Sequence, residues 1–305
     1  MSTFYNSERL KYNQMNYNND VELDNFCSQC LLVINAVGPS FKINDKIALH
    51  ALRNNCHYID IGGYGILRDL LKPYEKSIEA QKLCFIIGVG WMPGISGVFS
   101  KTIIETHLNS PENTNFNIYY GAVDNWSYSS TYDLAASSMG KTRSYVYSHG
   151  KEIQVSPFRY THHKFFPFIG HKKICMPSFD EQLTQLATSL KQIRKISTFI
   201  MLNDYISMGK FMFIKIFYKH NLNKATLMLQ DDYQRLVKKE NKWGSVICQV
   251  SKIEPERKID TFYYLYTKNN LLYTALPAVI TTQYILEGKT CLLYTSPSPR
   301  DGATS

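Results

Sequence analysis

LLVINAVGPS (residues 31–40) opens the stretch that decides the fold, because its texture returns in HYIDIGG (57–63) and again in LCFIIGVGWMPGISG (83–97). Each is a short apolar run, rich in β-branched residues, that closes on glycine, as a strand buried on both faces does. Between the runs the period changes. Ile43, Ile47, Ala48, Ala51 and Leu52 recur at helical spacing and stop at Asn54-Asn55. Ile66 to Gln81 is a second helical region that Pro73 breaks or restarts, and Ser96 to Leu108 is a third, just after Pro93-Gly94. Strand and helix in alternation predict right-handed crossovers and a parallel sheet with helices on its faces.

Upstream, Gln14 to Asn18 reads as one more strand and Asp20 to Cys30 as a helix. A dinucleotide-binding sheet opens with a strand, a G-x-G-x-x-G turn and a helix whose amides hold the pyrophosphate, and the sequence contains no such turn. The expectation is a partial first domain, residues 1–110, lacking its first βαβ unit.

Beyond Pro111 the pattern becomes α+β. Strands are predicted at Asn115–Val123, Ser144–Tyr147, Ile153–Ser156, Lys173–Cys175, Ile196–Leu202, Val246–Ser251 and Asp260–Tyr266. A helix over Phe179–Leu190 has Asp180 near its start, and Leu271–Leu286 is the last helix. The fold class is therefore α/β: a partial Rossmann-type parallel sheet with a second α+β domain over residues 111–268 and a closing helix within 269–290. Back-translated, Cys291 to Asp301 matches codon for codon a transposase adapter of a sequencing-library chemistry. Cys291 to Ser305 is thus expected to take no part in the fold, and the chain to be a fragment.

The 305 residues are 44% apolar and only 19% charged, which excludes a disordered chain. The net charge of +9 is spread out, its densest stretches being Lys238–Lys242 and His171–Lys173. No RNA-binding or zinc-finger motif accompanies them, so a solvated basic face is expected and no nucleic-acid partner. The apolar segment Ile196–Phe217 is interrupted by Asp204, Lys210 and Lys215, and Met1–Asp20 has no apolar signal core. These observations predict a soluble, cytoplasmic protein with no membrane partner. Cys27-x-x-Cys30 has no second ligand pair and fits the apolar side of a short helix, so core packing is expected there and no metal.

Ligands of open α/β sheets bind at the carboxyl edge of the strands. Three loops meet there: Asn35-Ala36-Val37-Gly38-Pro39, Asp60-Ile61-Gly62-Gly63 and Gly88 to Gly94. Asn35 and Asp60 are polar groups inside apolar strands, where each needs a partner, and a ribose hydroxyl or a carboxamide is one such partner. Pro93-Gly94 ahead of Ser96 predicts free helix amides facing the same edge, an anion site. The cluster Trp126–Tyr132 is read either as the floor of a substrate pocket or as packing at a domain seam. His162-His163 lacks metal-ligand spacing, Asp231-Asp232 reads as a helix start or a solvated face, and Gly94-Ile95-Ser96-Gly97 is one residue too short for a nucleophile elbow.

The three runs, in order and at βα spacing, resemble the successive motifs of saccharopine dehydrogenase-like proteins. The resemblance covers Leu31 to Gly97 well and the rest weakly. It implies an oxidoreductase that moves a hydride between NADP or NAD and a small amino-acid-like substrate. It also implies a second domain for substrate and homodimer contacts, and a last helix that packs back on the first. Asn35, Ala36, Gly38, Pro39, Asp60 and Gly62 would then lie against the cofactor, and Trp91, Pro93, Gly94 and Ser96 against the substrate. No general acid or base is assigned. Without the phosphate-binding turn this chain is expected to be inactive; the alternative is a non-catalytic binding protein on the same fold.

Overall fold

The structure is a computed structural model that describes residues 10–63, 65–109, 111–140, 144–178, 181–218, 220–289 and 292–295. Helix α1 (Asp20–Cys27) leads into strand β1 (Leu32–Asn35), and α2 (Ser40–Ile43) and α3 (Lys46–Arg53) lead into β2 (His57–Asp60). Helices α4 (Gly65–Leu71) and α5 (Glu75–Ala80), separated by a 3-10 turn at Lys72–Tyr74 that contains Pro73, lead into β3 (Cys84–Ile87). β1, β2 and β3 are neighbours in that order and all parallel, with Asn35 opposite Asp60 and Asp60 opposite Ile87.

Both faces of this sheet are covered at β2 and β3, whereas on β1 Ile34 is 45% exposed. Val33, Tyr58, Phe85 and Ile87 pack on one face against Leu23 and Cys27 of α1, Ala48 and Ala51 of α3, and Ile78 of α5. The alternate residues Ile59, Cys84 and Ile86 face Ala278 and Ile285, which belong to the last helix described below.

Gln14–Asn18 is not a strand. Asn16 accepts the Asn18 amide on its side chain at 3.0 Å, and its carbonyl takes the Asn19 amide at 2.9 Å. Asn19 in turn caps α1 through the Val21 and Glu22 amides. Local side-chain bonding of this kind competes with a ladder and wins where no strand edge is at hand.

Helix α6 (Ile95–Thr106) leaves the parallel sheet and lies on a larger one. That sheet is built from β4 (Thr114–Val123), followed by α7 (Tyr128–Gly140), then β5 (Ser144–Ser148), β6 (Lys151–Val155), α8 (Pro157–Tyr160), β7 (His162–Phe166) and β8 (His171–Pro177). Next come α9 (Glu181–Ser189), β9 (Lys195–Leu202), α10 (Tyr205–Phe217), α11 (Leu222–Lys239), β10 (Trp243–Ile253), β11 (Lys258–Thr267) and α12 (Asn270–Leu286). The order is β11-β10-β4-β9-β5-β6, with β8 on β9 and β7 on β8, and β4 and β9 run parallel. Phe179 and Asp180, read as the start of a helix, lie outside the described residues, and the helix is seen from Glu181.

The segment 292–295, expected to take no part, forms strand β12 (Leu292–Thr295), parallel to β3 from Leu292 opposite Cys84 to Thr295 opposite Ile87. β3 would otherwise be an edge of unpaired N–H and C=O groups, and such an edge takes a short β-prone segment whatever its origin. Cys291 and residues 296–305 lie outside the described residues.

Cys27, Cys56, Cys84, Cys175 and Cys248 are buried free thiols, and Cys30 is half-buried. Burial pushes Cys27, Cys175 and Cys248 up to about 12. Only thiolate reacts with disulfide reagents. Of these six, Cys30 alone is expected to be labelled promptly by DTNB in the native state, the rest only after denaturation, as read by peptide mass spectrometry. Prompt labelling of Cys27 or Cys56 would contradict this packing. Among the described residues no group of His, Cys, Asp or Glu is placed to hold a metal, and no helix is long and apolar enough to cross a membrane.

Candidate functional site

The carboxyl edge of the parallel sheet carries a closed polar network. The Asn35 amide donates to Tyr58 Oη at 3.0 Å and to Asp60 Oδ2 at 2.7 Å, and the Tyr58 hydroxyl donates to the same Oδ2 at 2.6 Å. Asp60 Oδ1 accepts the Gly62 and Gly63 amides at 3.0 and 2.5 Å. Asn35 Oδ1 takes the Val37 amide at 3.0 Å. Asn35 and Asp60 are 4% and 2% exposed, so their partners must come from nearby, and they come from the protein itself. Their burial therefore needs no ribose hydroxyl or carboxamide as partner. Burial holds the Asp60 carboxyl above the ordinary carboxylate range, although four donors pull it down, and it raises the Tyr58 phenol as well.

The expected anion site is also already filled. The loop from Gly88 to Gly94 folds back, so that the Ile95 amide meets Gly90 O at 3.0 Å and the Ser96 amide meets Trp91 O at 3.1 Å. The Gly94 amide donates to Gln182 Oε1 of α9 at 3.2 Å. At α2 the Ser40 and Phe41 amides are taken by the Asp133 carboxylate of α7, at 2.9 and 3.2 Å. Both helix starts thus have protein acceptors, including the start of α6, where free amides were anticipated.

The glycines of the three loops let the loops pack on one another. Gly90 and Gly94 form an isolated bridge, and Gly94 holds φ +130°, which non-glycine residues rarely adopt. Gly62 abuts the Ser40 hydroxyl, and Gly38 abuts Ser129. Pro39 and Pro93 follow cis peptide bonds. Ala36 remains exposed, whereas Ser96 is fully buried.

Trp91 leads to a second feature. With Met92 it borders a cleft of about 60 Å³ that opens to solvent between the β3–α6 loop and the larger sheet. Tyr120 and Ala122 of β4, Trp126, Leu134 of α7 and Phe211 of α10 form much of the lining. Trp126 stacks on Tyr233 of α11 at 4.7 Å, and Trp91 meets Tyr273 of α12 edge-on at 5.5 Å. The polar lining groups are Asn203, Ser207 and Asp232. Of the residues read as substrate-facing, the structure brings Trp91 into the cleft and leaves Pro93, Gly94 and Ser96 in the loop and core behind it. Trp126 joins Trp91 in the lining, while Tyr128 and Tyr132 pack around Lys42 instead.

Several residues of the site went unread. Tyr58 lies two positions before Asp60 on a strand, the period that puts both on one face, and this was the signal available. Asp232 is neither a helix start nor solvated: it sits inside α11, 5% exposed, and accepts from Arg235 at 2.9 Å. His162 packs edge-on to Phe199 at 4.9 Å, and His163 is a surface residue bonded to Tyr205 at 2.8 Å.

No family model matches the chain, and no curated protein matches it. Among solved structures it is similar to apo histidine-tagged saccharopine dehydrogenase (L-Glu forming) from Saccharomyces cerevisiae. That match has a TM-score of 0.63 at 14% identity, covering 93% of this chain and 83% of the yeast one. A weaker match is homospermidine synthase from Legionella pneumophila in complex with NAD, with a TM-score of 0.48 at 10% identity, covering 93% of this chain and 75% of that one. Joined to a parallel sheet whose helices and larger mixed sheet are laid out as above, the yeast match identifies the fold of this chain as that of a saccharopine dehydrogenase.

Proposed function

We propose that the chain is a saccharopine dehydrogenase-like oxidoreductase that uses NADP or NAD. Residues 1–110 form the nicotinamide side of the cofactor domain, 111–268 the substrate domain, and 269–290 a helix returned to the first. The single observation that supports this most is the meeting of Asn35–Pro39, Asp60–Gly63 and Trp91–Gly94 at one parallel-sheet edge, beside an aromatic cleft, in a chain with this fold.

The residues fit one end of the cofactor better than the other. Ser96 Oγ and Gln182 Nε2 are buried beside Gly94 without partners among the described residues. A hydroxyl and an amide N–H are the kinds of group that satisfy a carboxamide. The amides that start α2 and α6 are all engaged and offer nothing to a pyrophosphate. The cofactor, when bound, supplies the hydride. The chain's own part would be to hold the nicotinamide against the loops of Ala36, Gly38, Pro39 and Gly62, which the buried Asn35 and Asp60 keep in place. Trp91, Pro93, Gly94 and Ser96 shape the wall that separates it from water.

Saturation-transfer NMR of NADP+ with the expressed 305-residue chain tests this. Saturation is expected on the nicotinamide protons and little on adenine, with weak binding in an NADPH fluorescence titration. Tight binding with equal adenine saturation would refute the half-site. No saturation anywhere would favour the rival, a binding protein without catalysis.

A further inference from the structure

The cleft beside Trp91 is chemically unlike a site for an amino acid. Its walls are Trp91, Met92, Trp126, Leu134, Phe211 and Tyr233, with further aliphatic residues behind them, and among the described residues no lysine or arginine lines it. A carboxylate brought there would be stripped of water without a compensating cation, a loss that apolar contacts do not recover.

Three of the cations that touch lining residues are already committed, and the fourth, Lys215, lies over the Phe211 ring at 5.0 Å, where burial lowers its pKa. Arg235 holds Asp232 at 2.8 Å and Asp204 at 2.7 Å, and it donates to Ser207 Oγ at 3.1 Å. Lys210 holds Asp231 at 2.6 Å and Asp232 at 3.5 Å. Lys173 is bound to Glu240 at 3.1 Å and to Asn203 Oδ1 at 2.6 Å. Arg235, Lys210 and Lys173 thus serve four carboxylates between them, so these three cations have no charge to spare for a further anion. Polar handles remain, among them the Trp126 indole N–H and the Asn203 side chain. Asn203 spends its Oδ1 on Lys173, and its Nδ2 has no partner among the described residues, which suits a neutral acceptor such as a carbonyl oxygen.

We infer that the cleft takes an uncharged ligand with an aromatic or alkyl body and a single hydrogen-bond acceptor directed at Asn203. Resting on the oxidoreductase reading, this assigns an apolar substrate where the family resemblance implies an amino-acid-like one. Shape agrees with charge: Trp126, stacked at an interplanar angle of 9° on Tyr233, gives the lining a flat aromatic wall.

The test uses the full chain and the neutral dye N-phenyl-1-naphthylamine, whose fluorescence rises in apolar surroundings. Saturable binding is expected, displaced by 1-decanol and unaffected by L-glutamate or L-lysine. Ala122→Trp, which fills the cleft, and Trp126→Ala, which removes a wall, are each expected to weaken the dye about tenfold or more. Circular dichroism identifies a variant that has failed to fold, and the other then decides. Displacement by L-glutamate, or unchanged affinity in a folded variant, would overturn the assignment. Dye binding without nicotinamide saturation would sink the cofactor reading alone, and nicotinamide saturation without dye binding would sink this one alone.

Discussion

Gly94→Ala is expected to remove roughly 3–5 kcal/mol of folding stability, a loss at the extreme of single substitutions. Two costs combine. The backbone holds φ +130°, where a Cβ is strained by itself. A Cβ at this position would also fall inside the contact radius of the Gly90 carbonyl oxygen, a backbone atom that is bonded to the Ile95 amide and cannot withdraw without releasing it. Relief would require opening the Gly90–Gly94 bridge and the Gly94–Gln182 contact, so the start of α6 would fray with the loop. Gly170→Ala is the control. Gly170 has φ +80° in open space with no atom within 4 Å of an added Cβ, so only conformational strain of roughly 1–2 kcal/mol is expected. Urea unfolding of the two variants separates strain from packing. Equal losses would mean that the loop is not packed as described.

The elements that could be read in the sequence were those whose signal is local. Three glycine-closed apolar runs, the interruption at Pro73 and the helical spacing before Asn54 needed no distant partner, and each stands within a few residues of its expected limits. The site was less legible because its geometry is fixed at long range. The Asp133 carboxylate reaches α2 across 93 residues and Gln182 reaches Gly94 across 88, and nothing beside Ser40 or Gly94 announces either. Helix α7 escaped notice for a related reason. Tyr128–Gly140 is rich in serine and threonine, which disfavour helix interiors. The helix is held by tertiary contact: Asp133 on α2 and Ala135 in a core with Ala225 and Leu229 of α11. Rules about unpaired polar groups identified Asn35 and Asp60 correctly as residues under constraint. They could not say whether the constraint is a ligand or Tyr58.

That distinction makes Asp60 the second position of large effect. Asp60→Ala leaves Asn35 Nδ2, the Tyr58 hydroxyl and the Gly62 and Gly63 amides without their acceptor, in a site too buried for water to replace it freely. Breaking such a network is expected to cost about 3–5 kcal/mol, a third or more of the stability of an ordinary domain. Asn35→Ala removes donors and the acceptor for Val37 yet leaves Asp60 three partners, so a loss of about 1–2 kcal/mol is expected. The double variant should lose less than the sum, because the two residues share one bond. The pH dependence has a definite sign. Burial raises the folded carboxyl above its ordinary 3.8, so the folded protein binds this proton more tightly than the unfolded chain. Wild type therefore gains from Asp60 as the pH falls through the folded value towards 3.8, and the alanine variant cannot. The stability gap between the two should be wider near about pH 4 than near about pH 7 when both are unfolded in urea. A gap that narrows on acidification would mean that the four donors outweigh burial and that Asp60 is held as an anion, which would reopen the edge to a cationic or donor-rich ligand.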